Sequence, residues 1–211
     1  MSINLATKLR EGTKKSHTMA ENVGFVKCFL KGVVEKTSYR KLVGNLYFVY
    51  SAMEEEMERQ KQHPVVSKIY FSELNRKQSL EQDLFYYYGA NWREQVAPSA
   101  AAKAYVQRIH EISATAPELL VAQSYTRYLG DLSDIPDEKE FKANYRQAMN
   151  ELPIDEATAE RIVDEANAAF GMNMKMFMEL EGNLIKAVGQ MLFNTLTRKR
   201  GGGSTELATA D

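Results

Sequence analysis

The imidazoles of this chain are three, His17, His63 and His110, and their sequence neighbours decide which metal chemistry is open to it. A carboxylate-bridged di-iron bundle needs two Glu-x-x-His pairs, but Lys14, Gln60 and Gln107 stand three residues before these histidines. That chemistry is excluded. Zinc hydrolysis by a His-Glu-x-x-His helix and phosphate binding by a glycine-rich loop are excluded too, since neither motif occurs. The single cysteine, Cys28, lies among Phe25, Phe29 and Leu30. With no histidine near it in sequence, it is expected to pack as an inert thiol rather than act as a nucleophile. One thiol also rules out a disulfide framework and fits a reducing compartment.

His17 is the more informative residue. Leu5, Leu9, Thr13, His17 and Glu21 recur every four residues, one slowly drifting helical stripe that turns His17 toward the interior. Arg10 and Lys14 lie within about 60° of it around the helix axis. A neutral imidazole facing an apolar cavity can be the fifth ligand of a haem iron, with the two cations pairing to propionates. The same pattern also describes a hydrogen-bonded core histidine beside solvated cations. Lys142 and Arg146, again four apart, read either as a second propionate clamp or as an ordinary polar helix face. Gly130 sits in an apolar helical pattern directly before Asp131. Glycine there costs about 1 kcal/mol against alanine, so it marks either a close backbone approach to a ligand or a C-cap. Phe170, Asn173 and Phe177 form a stripe read as core, within which the asparagine needs a polar partner; bound water in a cavity would supply one.

The elements that position these residues are helical. A first helix is predicted from Ala6 to the region of Asn22, with a break near Gly24. A second carries Tyr39, Leu42, Leu46, Val49, Met53 and Met57 inward, capped by Thr37 or Ser38 and ended at His63-Pro64. After an irregular link from Gln62 to Arg76 come helices at Ser79–Tyr88 and Pro98–Ser113, with a polar turn at Gly89 and Asn91. Pro117 opens a helix over Glu118–Gly130, with Val121, Tyr125, Tyr128 and Leu132 on one face. Asp137-x-x-Glu140 is a capping box for a helix with Phe141, Tyr145, Ala148 and Leu152 inward, stopped by Pro153. Asp155 starts the longest pattern, running to about Leu196, with Gly171, Gly182 and Gly189 as bends. The predicted fold class is all-α, one domain over residues 1–196. Residues 197–211, polar and rich in glycine, form a tail without predicted structure.

The composition agrees with one substantial core. The chain has 211 residues, 44% of them hydrophobic and 26% charged, with 27 basic against 28 acidic side chains. A net charge of -1 argues against a dedicated nucleic-acid or membrane-surface binder. No run approaches the roughly 18 apolar residues of a membrane span, and the first ten residues lack an apolar signal core. A soluble cytoplasmic protein without a membrane anchor is expected.

Three segments carry a resemblance: Lys14-Lys15-Ser16-His17-Thr18-Met19-Ala20-Glu21-Asn22, Tyr70-Phe71 through Glu81-Gln82-Asp83-Leu84, and Tyr125-Thr126-Arg127-Tyr128-Leu129-Gly130-Asp131-Leu132-Ser133. They resemble haem oxygenase, particularly the soluble cyanobacterial type, and the likeness extends to about Arg200. It implies an all-helical fold that holds haem between a proximal and a kinked distal helix, as both substrate and oxygen-activating cofactor. By this resemblance His17 is the proximal ligand and Glu21 tunes its imidazole. Gly130 lets the backbone approach the iron, and Asp131 is the distal carboxylate that organises water and delivers protons. Arg10, Lys14, Tyr125, Lys142 and Arg146 hold the propionates, and Phe170, Asn173 and Phe177 line the pocket. The implied reaction takes haem, O2 and external electrons to biliverdin IXα, carbon monoxide and ferrous iron, opening the ring at the α-meso carbon. The implied partners are a ferredoxin-like donor, docking on a basic rim of Lys14, Lys15, Lys142, Arg146 and Arg198–Arg200, and a downstream bilin reductase.

There is one departure. After Gly130-Asp131-Leu132-Ser133 the family continues with two more glycines and some tens of residues of distal helix and loop, whereas here Asp134-Ile135-Pro136-Asp137 follows at once. Either the distal helix is truncated, or residues are missing from the sequence between Ser133 and Asp134. The second is preferred because every other site residue is kept. A Cα–Cα step of 3.80 Å would mark a true peptide bond there. Truncation leaves a non-catalytic haem-binding or storage protein as the alternative function, and a helical interaction domain as a third.

Overall fold

The computed structural model describes residues 3–31, 34–129 and 136–200, with Leu30 and 181–200 described by backbone alone. The described residues form helices α1 (Leu5–Gly12), α2 (Lys14–Glu21), α3 (Gly24–Leu30), α4 (Lys36–Arg59), α5 (Val66–Ile69), α6 (Lys77–Tyr88), α7 (Trp92–Gln95), α8 (Ala100–Thr115), α9 (Leu120–Tyr128), α10 (Glu138–Asn150) and α11 (Glu156–Arg200), with short 3-10 turns at Ser72–Leu74 and Pro117–Leu119. No strand occurs among them, as the all-α reading requires. Gly130 through Ile135, and with them the Ser133–Asp134 junction and Leu132, lie outside the described residues, as do 201–211.

Helix α11 is the spine. It packs against α1, α2, α3, α4, α8 and α9, while α4 packs chiefly on α8 and α6. One large apolar cluster, from Leu5 and Leu9 through Met53, Leu84, Tyr105, Ile109, Leu120 and Tyr145 to Met176, fills the middle. A smaller cluster of Val23, Phe25, Leu42 and Leu180 lies where α3 meets α4 and α11.

Several boundaries differ from those predicted, each for a physical reason. The first helix is divided at Thr13, whose backbone stands at φ -102°, ψ -1°. Its buried hydroxyl donates to the Leu9 carbonyl at 2.7 Å, and such back-bonding by threonine bends a helix. Helix α4 begins at Lys36 without a side-chain cap, and Ser38 is buried in its first turns with its hydroxyl unpartnered. Helix α6 starts two residues before Ser79 because its cap comes from elsewhere in the chain. The buried Glu54 of α4 accepts the Arg76 and Lys77 amides at 2.6 and 3.2 Å. Burial pushes the Glu54 carboxyl above the usual range despite those bonds. The predicted link after α4 holds α5 and a 3-10 turn. Gly89 ends α6 at φ 80°, where other side chains are strained. Asp137 accepts the Glu140 amide at 2.9 Å, the N-cap half of the predicted box. On α10 the buried pair is Tyr145 and Met149, with Ala148 only part-buried.

Helices α4 and α8 are also joined by a polar knot inside their interface. Glu56, 1% exposed, accepts the Ser113 hydroxyl at 2.6 Å and lies 2.6 Å from His110 Nδ1 and 3.0 Å from the Arg59 guanidinium. Burial would raise its pKa, but those hydrogen bonds and the Arg59 charge hold it below the ordinary value. A carboxylate depressed in the folded state adds stability above its unfolded pKa and loses it as pH falls through the folded one. Glu56→Gln should therefore cost about 2 kcal/mol at pH 7. In urea titrations the gap to the unaltered protein should narrow below about pH 4; a gap independent of pH would mean that the carboxylate charge is not what the knot uses.

Candidate functional site

The bend at Thr13 aims α2, and with it His17, toward α9, α10 and α11. There Ala6, Thr7 and Arg10 from α1, His17 from α2, Tyr125, Thr126 and Leu129 from α9 and its end, Arg146 and Met149 from α10, and Phe170 from α11 enclose a cleft of about 430 Å³. That is within the range of small-molecule and cofactor sites. The His17 side chain is 56% exposed, so the stripe that was expected to turn it inward turns it into an open cleft. Its ring meets the edge of Phe170 at 5.6 Å between centroids and 76° between planes. Glu21, one turn on, brings Oε1 to 3.6 Å from His17 Nδ1.

Of the sequence-predicted residues, Arg10, His17, Tyr125, Arg146 and Phe170 thus share one cleft. Lys14 is exposed on the first turn of α2 and is not among the lining side chains. Lys142 pairs with Glu138 one turn back on α10, and it too lies off the lining. Phe177 faces a second cleft, of about 590 Å³, together with Phe29, Leu46, Tyr50 and Arg127, and stacks on Phe25 at 6.0 Å. Thr126 lines both clefts. Cys28 is part-buried and free. Gly130 and Asp131 lie outside the described residues.

Asn173 is buried, and its partner is a protein group: Arg127 Nη1 donates to Asn173 Oδ1 at 2.5 Å. Arg127 also lies 4.7 Å over the Tyr50 ring, and the Tyr50 hydroxyl donates to the Arg127 carbonyl at 3.2 Å. Tyr105, wholly buried, has its phenol pushed well up by burial. Residue-by-residue reading missed this knot, although a lone charged residue in the stretch Val121–Leu129 was its visible trace.

The first cleft has a distinctive chemistry. Its walls are apolar at Ala6, Leu129, Met149 and Phe170, yet it holds an imidazole and two guanidiniums, Arg10 and Arg146, that form no ion pair among the described residues. Unpaired cations beside an apolar slot suit a flat apolar group that carries carboxylates, and the imidazole suits a metal at its centre. Among the described residues no cluster of three or more histidine, cysteine and acidic side chains could hold a bare metal ion.

The family model described as "Heme oxygenase" matches residues 3–134 and 133–179. The chain belongs to the haem oxygenase family. It is an enzyme of haem degradation, and haem is the group it binds. It is 71% identical to heme oxygenase 1 of Nostoc sp. over 238 aligned positions that cover all of both proteins. A crystal structure of heme oxygenase-1 from Synechocystis sp. in complex with heme matches with a TM-score of 0.89 at 69% identity, covering 92% of this chain and all of that one. Heme oxygenase-2 from Synechocystis sp., in complex with heme and NO, matches at 0.85 and 41%, covering 99% of this chain and all of that one. The two stretches matched by the haem oxygenase model meet at Ser133–Asp134. A 238-position alignment against 211 residues leaves positions that this chain does not fill.

Asn173→Leu should lower stability by about 2 kcal/mol, because it strips a hydrogen bond from a charged donor held between helices. Denaturant melts of the free protein check this, and an unchanged midpoint would mean that the Arg127 guanidinium is satisfied without Asn173.

Proposed function

We propose that this chain binds haem in the Arg10–His17–Tyr125–Arg146–Phe170 cleft and opens it at the α-meso carbon, giving biliverdin IXα, carbon monoxide and ferrous iron. The observation that carries the reading is the meeting of one imidazole and two unpaired arginines on a cleft with apolar walls at Ala6, Leu129, Met149 and Phe170. When bound, haem supplies both the iron that binds O2 and the ring carbon that is oxidised.

The protein's own residues do the rest. His17 offers a nitrogen to the iron, with Phe170 limiting rotation of its ring and Glu21 close enough to polarise it. Arg10 and Arg146, with Tyr125, fix the propionates and hence the in-plane orientation that selects the reacting carbon. Lys14 and Lys142, off the cleft lining, reach a propionate only from its solvent side. Asn173 and Phe177, off the lining of this cleft, act behind it, where the Arg127 knot keeps the α9 backbone fixed on α11. Gly130 and Asp131 are assigned the distal side, the first for close backbone approach, the second for holding water and passing protons.

Electrons come from outside. The exposed cations Lys14 and Lys15 of α2 and Arg146 of the cleft lining suit an acidic ferredoxin-like donor; the product is then consumed by a bilin reductase. Among the described residues no helix is long and apolar enough to cross a membrane, which supports a cytoplasmic enzyme.

The test is a hemin titration followed by turnover with O2, ferredoxin and a reductase. A histidine-ligated ferric spectrum should form, then give way to a biliverdin band; a stable oxygen complex without biliverdin would instead mark a haem carrier. His17→Ala should abolish or greatly weaken that ferric spectrum, and an unaltered spectrum would remove His17 from the site. Asp131→Ala should keep hemin binding but cut biliverdin formation by about 10²- to 10⁴-fold, with uncoupled reduction of O2 in its place.

A further inference from the structure

The bend between α1 and α2 is braced by a side chain that the functional reading leaves unused. Asn167 of α11 accepts the Ser16 hydroxyl on its Oδ1 at 2.5 Å. Its Nδ2 donates to the Gly12 carbonyl at 3.2 Å and to Val163 of its own helix at 3.0 Å. One amide therefore holds the last residue of α1, the residue just before His17, and the spine helix together. The approach is close as well as bonded. A Cβ built at Gly12 would stand 2.5 Å from Val163 Cγ1, so the α1 end rests on α11 with only a hydrogen between them.

These contacts leave α2 little freedom to roll. Thr13 sets the bend from within, and the Gly12–Val163 contact sets the distance to α11. Neither fixes rotation of α2 about its own axis, which decides where the imidazole points. Among the described residues Ser16 is the only one of α2 whose side chain hydrogen-bonds to α11, and it is the chain neighbour of His17. We infer that Asn167 is a positioning residue for His17: by holding Ser16 and Gly12 at once it sets the rotation of α2, and so presents the imidazole edge-on to Phe170 and into the cleft. The inference rests on His17 as the iron ligand only for its consequence in haem binding; the orientation itself is a property of the free protein.

Asn167→Leu keeps the side chain's size and removes both inter-helix bonds. In the haem-free protein the His17 ring protons, assigned by comparison with His17→Gln, should shift in the NMR spectrum as the ring moves relative to Phe170. Hemin affinity should fall about 10-fold, the usual effect of losing a partner behind a metal ligand. The iron–histidine stretching band of the ferrous complex should move, with helix content unchanged by circular dichroism. Ser16→Ala should shift the same ring resonances in the same direction, and the double variant should go no further than Asn167→Leu alone. The inference is overturned if Asn167→Leu lowers the melting temperature but leaves the ring resonances and the stretching band in place, or if the two substitutions act additively. Should Asn167→Leu fail to fold, Ser16→Ala decides alone: unmoved His17 resonances overturn the proposal. Should His17→Ala bind hemin with an unaltered spectrum, the ligand assignment falls, while the resonances still report whether Asn167 orients the ring.

Discussion

Buried polar groups on α11 must find partners inside the protein, and that requirement fixes where the other helices go. Glu165, 4% exposed, takes Arg108 of α8 through both carboxylate oxygens and Gln123 of α9 at 2.7 Å. Asn173 takes Arg127 of α9, and Asn167, part-buried rather than buried, takes the α1–α2 corner. Apolar packing alone tolerates sliding and rotation by fractions of a turn. A desolvated carboxylate or amide does not, because each lost bond leaves a group that water cannot reach. The spine therefore dictates register to four neighbours, and the cleft between α2, α9, α10 and α11 inherits its shape from them.

The cleft is the place where this rule is suspended. On the surrounding helices several cations are matched: Arg108 with Glu165, Arg161 with Glu118, Lys142 with Glu138. Arg10 and Arg146, which line the cleft, have no carboxylate partner among the described residues. They stay solvated at the mouth, where an unpaired guanidinium costs little, and they meet an apolar interior in which a carboxylate-bearing ring gains by being desolvated. The fold thus keeps ready two charges that stabilise nothing in the free protein.

How much of this could be read from residues alone depended on sequence distance. The Asp137 cap, three residues from its amide partner, was legible, and so were the inward periodicity of α4 and the spacing of His17 with Arg10. The resemblance carried by three short segments supplied the family. What escaped were pairings across long loops. Glu54 caps a helix that starts more than twenty residues later, which no local pattern around Ser79 announces. Thr13 looked like one more position on an amphipathic stripe, and only its burial against the Leu9 carbonyl makes it a bend. Asn173 signalled an unmet polar need, but that Arg127 meets it is a fact of tertiary packing. Lys142, one turn from Arg146, shared its charge and spacing, and the nearer Glu138 took it instead.

The seat of the α1 end on Val163 also constrains the order in which this surface can change. Gly12 is exposed to solvent, a position where drift is ordinarily free, yet any side chain there collides with the valine methyl. Replacement at 12 becomes passable only after 163 has shrunk, whereas shrinkage at 163 can come first. Two outwardly unremarkable sites are thereby joined into a one-way path, and descendants of this chain should keep a trace of it in which of the two changed earlier.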